Sequence, residues 1–279
     1  MWFSADNMVL TAAQASCVAL PAAGLPVWAA RFRTGAWALV LPLSIALVVA
    51  AIAAAPGTAT VLAWTALLLV PPGCALALGW AARGARPWLA PLAIPLLALA
   101  WAAPERRVGQ VATIVLIAGS AITLGRLLAG VAPLSLLKAG VVAMAAVDAY
   151  LVFSGRLQAP NAVLVAASPG AGLPQLQSAA FGTAGLGYGD FFAAAVVGGI
   201  LAAEGRRQVA AAVATVVVSL VWDQLFVVYD VLPATIPPAV VLLGAEAWRR
   251  RTSRPAARPA AGAAAPRPRS DRRWTGGTA

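Results

Sequence analysis

The chain has 279 residues, 61% hydrophobic and only 10% charged, with a formal net charge of +11. Soluble domains carry about 25% charged residues, so a soluble globular protein is excluded: too little polar surface exists to cover such a core. There is no histidine, and the two cysteines, Cys17 and Cys74, sit in apolar runs without a CxxC pair, which argues against a zinc or haem centre and against a disulfide framework.

A membrane-spanning helix needs about 20 mostly apolar residues. The hydropathy pattern predicts nine such spans, at 8–29, 35–55, 58–80, 87–103, 108–129, 133–153, 178–203, 208–228 and 232–248. The N-terminal stretch MWFSADNMVL lacks the positive region of a cleaved signal peptide, so the first hydrophobic segment is expected to be retained. Breaks fall at RFRTG, APG, ARGARP, APERR, AGVAP and EGRR. Pro71-Pro72 and Pro91/Pro95 lie inside spans, where neighbouring helices satisfy the freed backbone groups.

The segment 154–178 does not read as a span. It contains Pro160, Pro169 and Pro174, and its apolar part, AVLVAAS, is short and rich in β-branched residues. It is expected to be a short strand, a re-entrant piece or a plain surface loop. After Trp248 the composition changes. The segment 249–279 has nine arginines and no Leu, Ile, Val or Phe, and is expected to be a disordered basic tail. It is suited to anionic lipid at about 1 kcal/mol per basic residue. No basic patch is interleaved with aromatics, so nucleic-acid binding is not expected.

Loop charges set the orientation. With nine spans and the N-terminus outside, sixteen of the nineteen arginines face the cytoplasm, the tail included. The opposite orientation reverses this, so the expectation is N-out and C-in.

The chain has nine acids. Asp6, Glu105, Glu204, Asp230 and Asp271 lie at ends or loops, and Glu246 lies beside the arginine cluster, where an ion pair is expected. Asp148, Asp190 and Asp223 remain in hydrophobic context. A charge at mid-bilayer costs roughly 2.5–3.5 kcal/mol on insertion scales, so each is a functional candidate. Asp148 lies about 22 Å into its span and Asp190 about 18 Å into the antiparallel next one, both inside a bilayer about 30 Å thick. The two carboxylates are therefore expected to face each other. Lys138 is ten residues before Asp148 and on another face. Without a cation, two adjacent carboxyls share a proton, the arrangement in which one activates water and the other polarises a carbonyl. Gly185, Gly187 and Gly189 are expected to admit a close-lying backbone beside Asp190. Asp223, in VWDQLF, is expected to be structural.

Gly187-Tyr188-Gly189-Asp190 matches the GxGD motif of intramembrane aspartyl proteases, and the wider pattern resembles the presenilin and signal peptide peptidase family. In that family the first aspartate lies on the sixth helix, GxGD on the seventh, and a PAL motif begins the ninth. Here those spans carry Asp148, Asp190 and a Pro-Ala element, either Pro233-Ala234-Thr235 or Pro238-Ala239-Val240. The spacing between the aspartates is similar to signal peptide peptidases. The family's tyrosine before the first aspartate is Val147 here, with Tyr150 nearby. Prepilin peptidases share a GYGDFK-type motif, but Phe192 replaces the lysine and the paired cysteines are missing.

The resemblance implies an all-α, nine-helix membrane protease. Residues 1–132 would be a five-helix scaffold and 133–248 four catalytic helices. Asp148 and Asp190 would be the catalytic pair, with Gly187, Tyr188, Gly189, Pro233, Ala234, Pro238 and Ala239 at the substrate. It implies transmembrane-helix substrates entering with their N-terminus in the cytoplasm, no metal or organic cofactor, and a plasma-membrane location. A proton-coupled transporter and a non-proteolytic membrane chaperone are alternatives that use the same acids.

Overall fold

The computed structural model describes residues 5–170, 172–229 and 231–252. The expected tail from 253 onward lies outside the described residues. The chain is predominantly helical. Among the described residues, five helices are long and apolar enough to cross a membrane: Gly35–Ala54, Thr58–Ala81, Arg107–Val131, Leu134–Phe153 and Gln208–Val227. Their outward faces are hydrocarbon, with Leu47, Leu68, Val213 and Val217 all exposed. In a protein of this composition, that marks a membrane protein.

In chain order, α1 is Ala5–Ala19, α2 Val40–Ala54, α3 Thr58–Leu76 and α4 Ala93–Ala102. They are followed by α5 Arg107–Val131, α6 Leu134–Phe153, α7 Gln158–Ala166, α8 Tyr188–Ala203, α9 Gln208–Trp222 and α10 Ile236–Thr252. The expected first span is shorter than 8–29: α1 ends at Ala19, ahead of Pro21, Gly24 and Pro26, and a separate 3-10 turn covers Val27–Phe32. The 87–103 span begins as a 3-10 turn, Pro87–Leu92, that runs into α4. The last span starts late, at Ile236.

Two expectations are corrected between α6 and α8. AVLVAAS is neither strand nor loop for most of its length: residues 162–166 form the second half of α7, with Val163 and Val165 exposed. The segment 178–203 is not one continuous helix, although the chain as a whole is consistent with an all-α class. Strands β1 (Ser178–Phe181) and β2 (Ala184–Gly187) form an antiparallel hairpin before α8 begins. The hairpin has a local cause. Its two-residue turn is Gly182-Thr183, with Gly182 at φ +58°, the positive angle that a type II′ turn needs at its first position. The tip is held from outside. Asp6 accepts a hydrogen bond from the Thr183 N–H (3.3 Å) and pairs with Arg107 (3.2 Å), while Gln110 accepts from the Gly182 N–H (3.1 Å).

The central helix is α5. Without a hydrophobic driving force between helices in lipid, small residues set the close approaches. Gly119 lies against Cys74 of α3, and Gly125 lies against the Ala195 backbone of α8. On α8, Gly199 faces the Gly125 carbonyl, and Gly198 faces Cys17 and Val18 of α1. The helix carrying GxGD is thus wedged between α5 and α1. Arg126, buried on α5, donates to the carbonyls of Gly24 (2.9 Å), Ala23 (3.2 Å) and Trp80, and its guanidinium stacks on the Trp80 ring at 3.8 Å. It satisfies two carbonyls of the connection after α1 and one near the end of the helical run that follows α3.

Charged side chains gather at one end. Lys138 of α6 pairs with Glu204 after α8 (2.5 Å) and with Glu246 of α10 (2.9 Å). Arg206 bridges the same two acids (3.2 and 3.6 Å), and Arg249 joins Glu246. The lysine that shares α6 with Asp148 is therefore committed elsewhere.

Candidate active site

Helix rise places the three hydrocarbon-set acids in one layer. Asp190 is about 21 Å from Glu204, Asp148 about 15 Å from Lys138, whose side chain spans much of the difference, and Asp223 about 22 Å from Gln208. Glu204 and Lys138 are bonded to each other, so the counts start from the same end.

All three acids line one cavity of about 220 Å3. Asp148 comes from the second half of α6 and is buried. Asp190 is not mid-helix, as the sequence suggests; it is the third residue of α8. The hairpin ends at Gly187, which caps the helix, and the Asp190 Oδ2 accepts a hydrogen bond from the Gly187 N–H at 3.1 Å. A carboxylate in the first helical turn meets otherwise unpaired N–H groups. Asp148 Oδ2 accepts from the Thr235 hydroxyl at 2.6 Å. Each carboxyl is thus pinned through one oxygen, and both face the same cavity. No basic side chain lines the cavity among the described residues.

The two Pro-Ala elements separate. Pro233 and Ala234 line the cavity, and Thr235 reaches Asp148. Pro238 and Ala239 lie on α10, buried in the core and off the cavity wall. Gly187 lines the cavity, and a Cβ there would crowd the Asp190 Oδ2 at 3.3 Å. Gly189 has room: its nearest neighbour would be Met144 Cε at 3.9 Å. Tyr188 turns away, and its hydroxyl bonds Ser120 on α5 at 2.9 Å. The structure thus brings Asp148, Asp190, Gly187, Pro233 and Ala234 together, and sets Gly189, Tyr188, Pro238 and Ala239 apart.

Sequence reasoning misses the contribution of α1. Gln14 is 3% exposed. Its Nε2 donates to the Asp190 carbonyl (3.3 Å) and to the Ala234 carbonyl (2.8 Å), tying the GxGD helix to the Pro-Ala element. Asn7 Nδ2 donates to Asp223 Oδ2 at 2.6 Å. Asn7, Thr11 and Gln14 all line the cavity. Their i, i+4, i+7 spacing is a polar stripe on an otherwise apolar helix, a signal present in the sequence. Asp223, expected to be structural, has that bond and also faces the cavity.

Gln14→Leu removes the buried amide N–H groups that both carbonyls accept from. The expected result is a lower unfolding temperature and a loss of roughly 1–3 kcal/mol per orphaned carbonyl, read by thermal unfolding in detergent. A wild-type midpoint would contradict the bridging role.

Set against known proteins, the chain matches no family, no curated protein and no solved structure at a significant level.

Proposed function

We infer that the chain is an intramembrane aspartyl protease, hydrolysing peptide bonds within single-span helical segments, with Asp148 and Asp190 as the reacting pair. The observation that carries this is the placement of both carboxyls in one cavity that, among the described residues, no basic side chain lines. In this reading the pair holds one proton. The ionised carboxyl takes a proton from water, and the protonated one donates to the scissile carbonyl. A Thr235 bond on one and a Gly187 bond on the other fix their orientation before substrate arrives, which keeps reorganisation low.

The surroundings favour an extended peptide. β2 pairs with β1 on one side only, and Gly185, Leu186 and Gly187 line the cavity. An open strand edge offers backbone groups to a peptide that has left its helix. Pro233 lacks an N–H and keeps the chain before α10 non-helical, so Ala234 lines the cavity as irregular backbone. Such backbone is tolerated at membrane depth where it lines a cavity. These features accord with the resemblance of GYGD and the Pro-Ala element to presenilins and signal peptide peptidases.

In the same reading nine helices cross the plasma membrane, and the end bearing Lys138, Arg206 and Arg249 faces the cytoplasm. Substrates then enter with their N-terminus inside. The test is cleavage of an N-in, single-span reporter co-expressed with wild type, Asp148→Asn or Asp190→Asn. Product with wild type alone supports the reading; the same product in all three overturns it. A finer expectation concerns Thr235: Thr235→Val lowers kcat by roughly ten-fold or more, while Thr235→Ser, which keeps the hydroxyl, stays near wild type. Equal rates for the two variants would remove Thr235 from the site.

A further inference from the structure

The cavity is lined by further polar residues that the aspartate pair does not use. Ser219 is 4% exposed, and its Oγ has no hydrogen-bond partner. Trp222 Nε1 is buried and also lacks a partner. Both line the cavity, with Asp223 beside them. Ser219 and Trp222 are three residues apart on α9 and so share a face. Native structures pair nearly all buried polar groups. Among the described residues only three side-chain atoms break that rule, and two of them belong to residues lining this cavity.

We propose that Ser219, Trp222 and Asp223 form a subsite for an amide group of the substrate. The claim rests on reading the cavity as a peptide site. Its chemistry follows from the inventory of donors and acceptors. Trp222 offers an N–H and accepts nothing; Asp223 offers acceptor lone pairs beside its bond from Asn7; Ser219 does either. An amide supplies the complement: its carbonyl accepts from Trp222 and its N–H donates to Asp223 or Ser219. An ammonium has donors only and leaves the indole N–H unmatched. A carboxylate has acceptors only and meets Asp223. A hydrocarbon side chain pairs with none of these groups. The amide has two possible sources, a peptide unit of the unwound substrate or an Asn or Gln side chain.

The test uses the full chain in detergent and dye-labelled Leu/Ala peptides of about 20 residues, long enough to span. One series carries a single Asn scanned through the central positions. A second carries a single Lys at those positions, a third a single backbone ester in place of an amide, and the parent has Leu throughout. Binding is read by anisotropy and product by mass spectrometry from the same samples. At one register Asn is expected to tighten binding, or the ester to weaken it, by roughly five-fold, the worth of about one hydrogen bond. In Trp222→Phe and in Ser219→Ala that effect falls below about two-fold. Neither variant lowers the unfolding temperature, because each removes a group that has no partner in the free protein. An effect of Asn alone assigns the side chain as source; an effect of the ester alone assigns the backbone. The proposal is overturned if neither modification matters, if Lys binds more tightly than Asn, or if the effect survives in both variants. Amide preference without product leaves the subsite standing and removes the hydrolytic reading; product without preference does the reverse.

Discussion

Asp148→Asn and Asp190→Asn are each expected to reduce reporter cleavage by about 10^4-fold or more, and the double variant is expected to be no worse than either single one. Two carboxyls that share a proton act as one unit, so losing either removes both the base and the acid. Stability should be spared. An asparagine at 148 still accepts from the Thr235 hydroxyl, and one at 190 still accepts from the Gly187 N–H, bonds of 2.6 and 3.1 Å in the wild type. Purified variants should therefore unfold at the wild-type temperature while making no product. A single variant that keeps a substantial rate would show that the acids do not act as a pair.

Gly125→Val is expected to have the largest effect on stability of any single change considered. A Cβ at 125 collides with the carbonyl carbon and oxygen of Ala195, which are backbone atoms of α8 with no rotamer to adopt. Relief requires α8 to move away from α5, undoing the approach at Gly199, where a Cβ would meet the Gly125 carbonyl at 2.5 Å. Overpacking in a core costs about 1–3 kcal/mol when side chains can shift; a backbone clash belongs at or above the upper end. Since α8 carries Asp190, cleavage should vanish with stability. Gly57→Ala is the control: nothing lies within 4 Å of a Cβ there, and the change should stay within about 0.5 kcal/mol. Titration into a denaturing detergent separates the two, and equal midpoints would refute the close-packing account.

The long helices were legible because hydropathy over about 20 residues is a strong signal: the predicted 108–129 and 133–153 correspond to α5 and α6 within a few residues. The hairpin was hidden because its strands are Ser-Ala-Ala-Phe and Ala-Gly-Leu-Gly, apolar enough to merge into the span that follows. Only Gly182-Thr183 marked a turn. The acids stood out by the cost of placing them in lipid. The choice between Pro233 and Pro238 turned on chain direction in three dimensions, which letters do not carry. Gln14 was invisible for a different reason. Its partners are two backbone carbonyls, and every residue has one, so no second side chain announced the contact. What the sequence does display is a polar stripe of Asn7, Thr11 and Gln14 on an otherwise apolar helix.

That stripe has a consequence for the order of biosynthesis. Asn7 meets Asp223 and Gln14 meets Ala234, contacts that span 216 and 220 residues of chain. Such long-range closures come late, since the loop entropy must be met before the contact exists. The first helix enters the bilayer early, whereas Asp223, which meets Asn7, and Ala234, which meets Gln14, are delivered only late by the ribosome. A nascent chain, or one truncated before residue 223, holds Asp148 and Asp190 but lacks Thr235, Pro233 and the Ala234 carbonyl, one of the two that Gln14 braces. On the proposed reading, the aspartate pair gains Thr235 and the Gln14–Ala234 brace only after both have been in the chain for many residues without them.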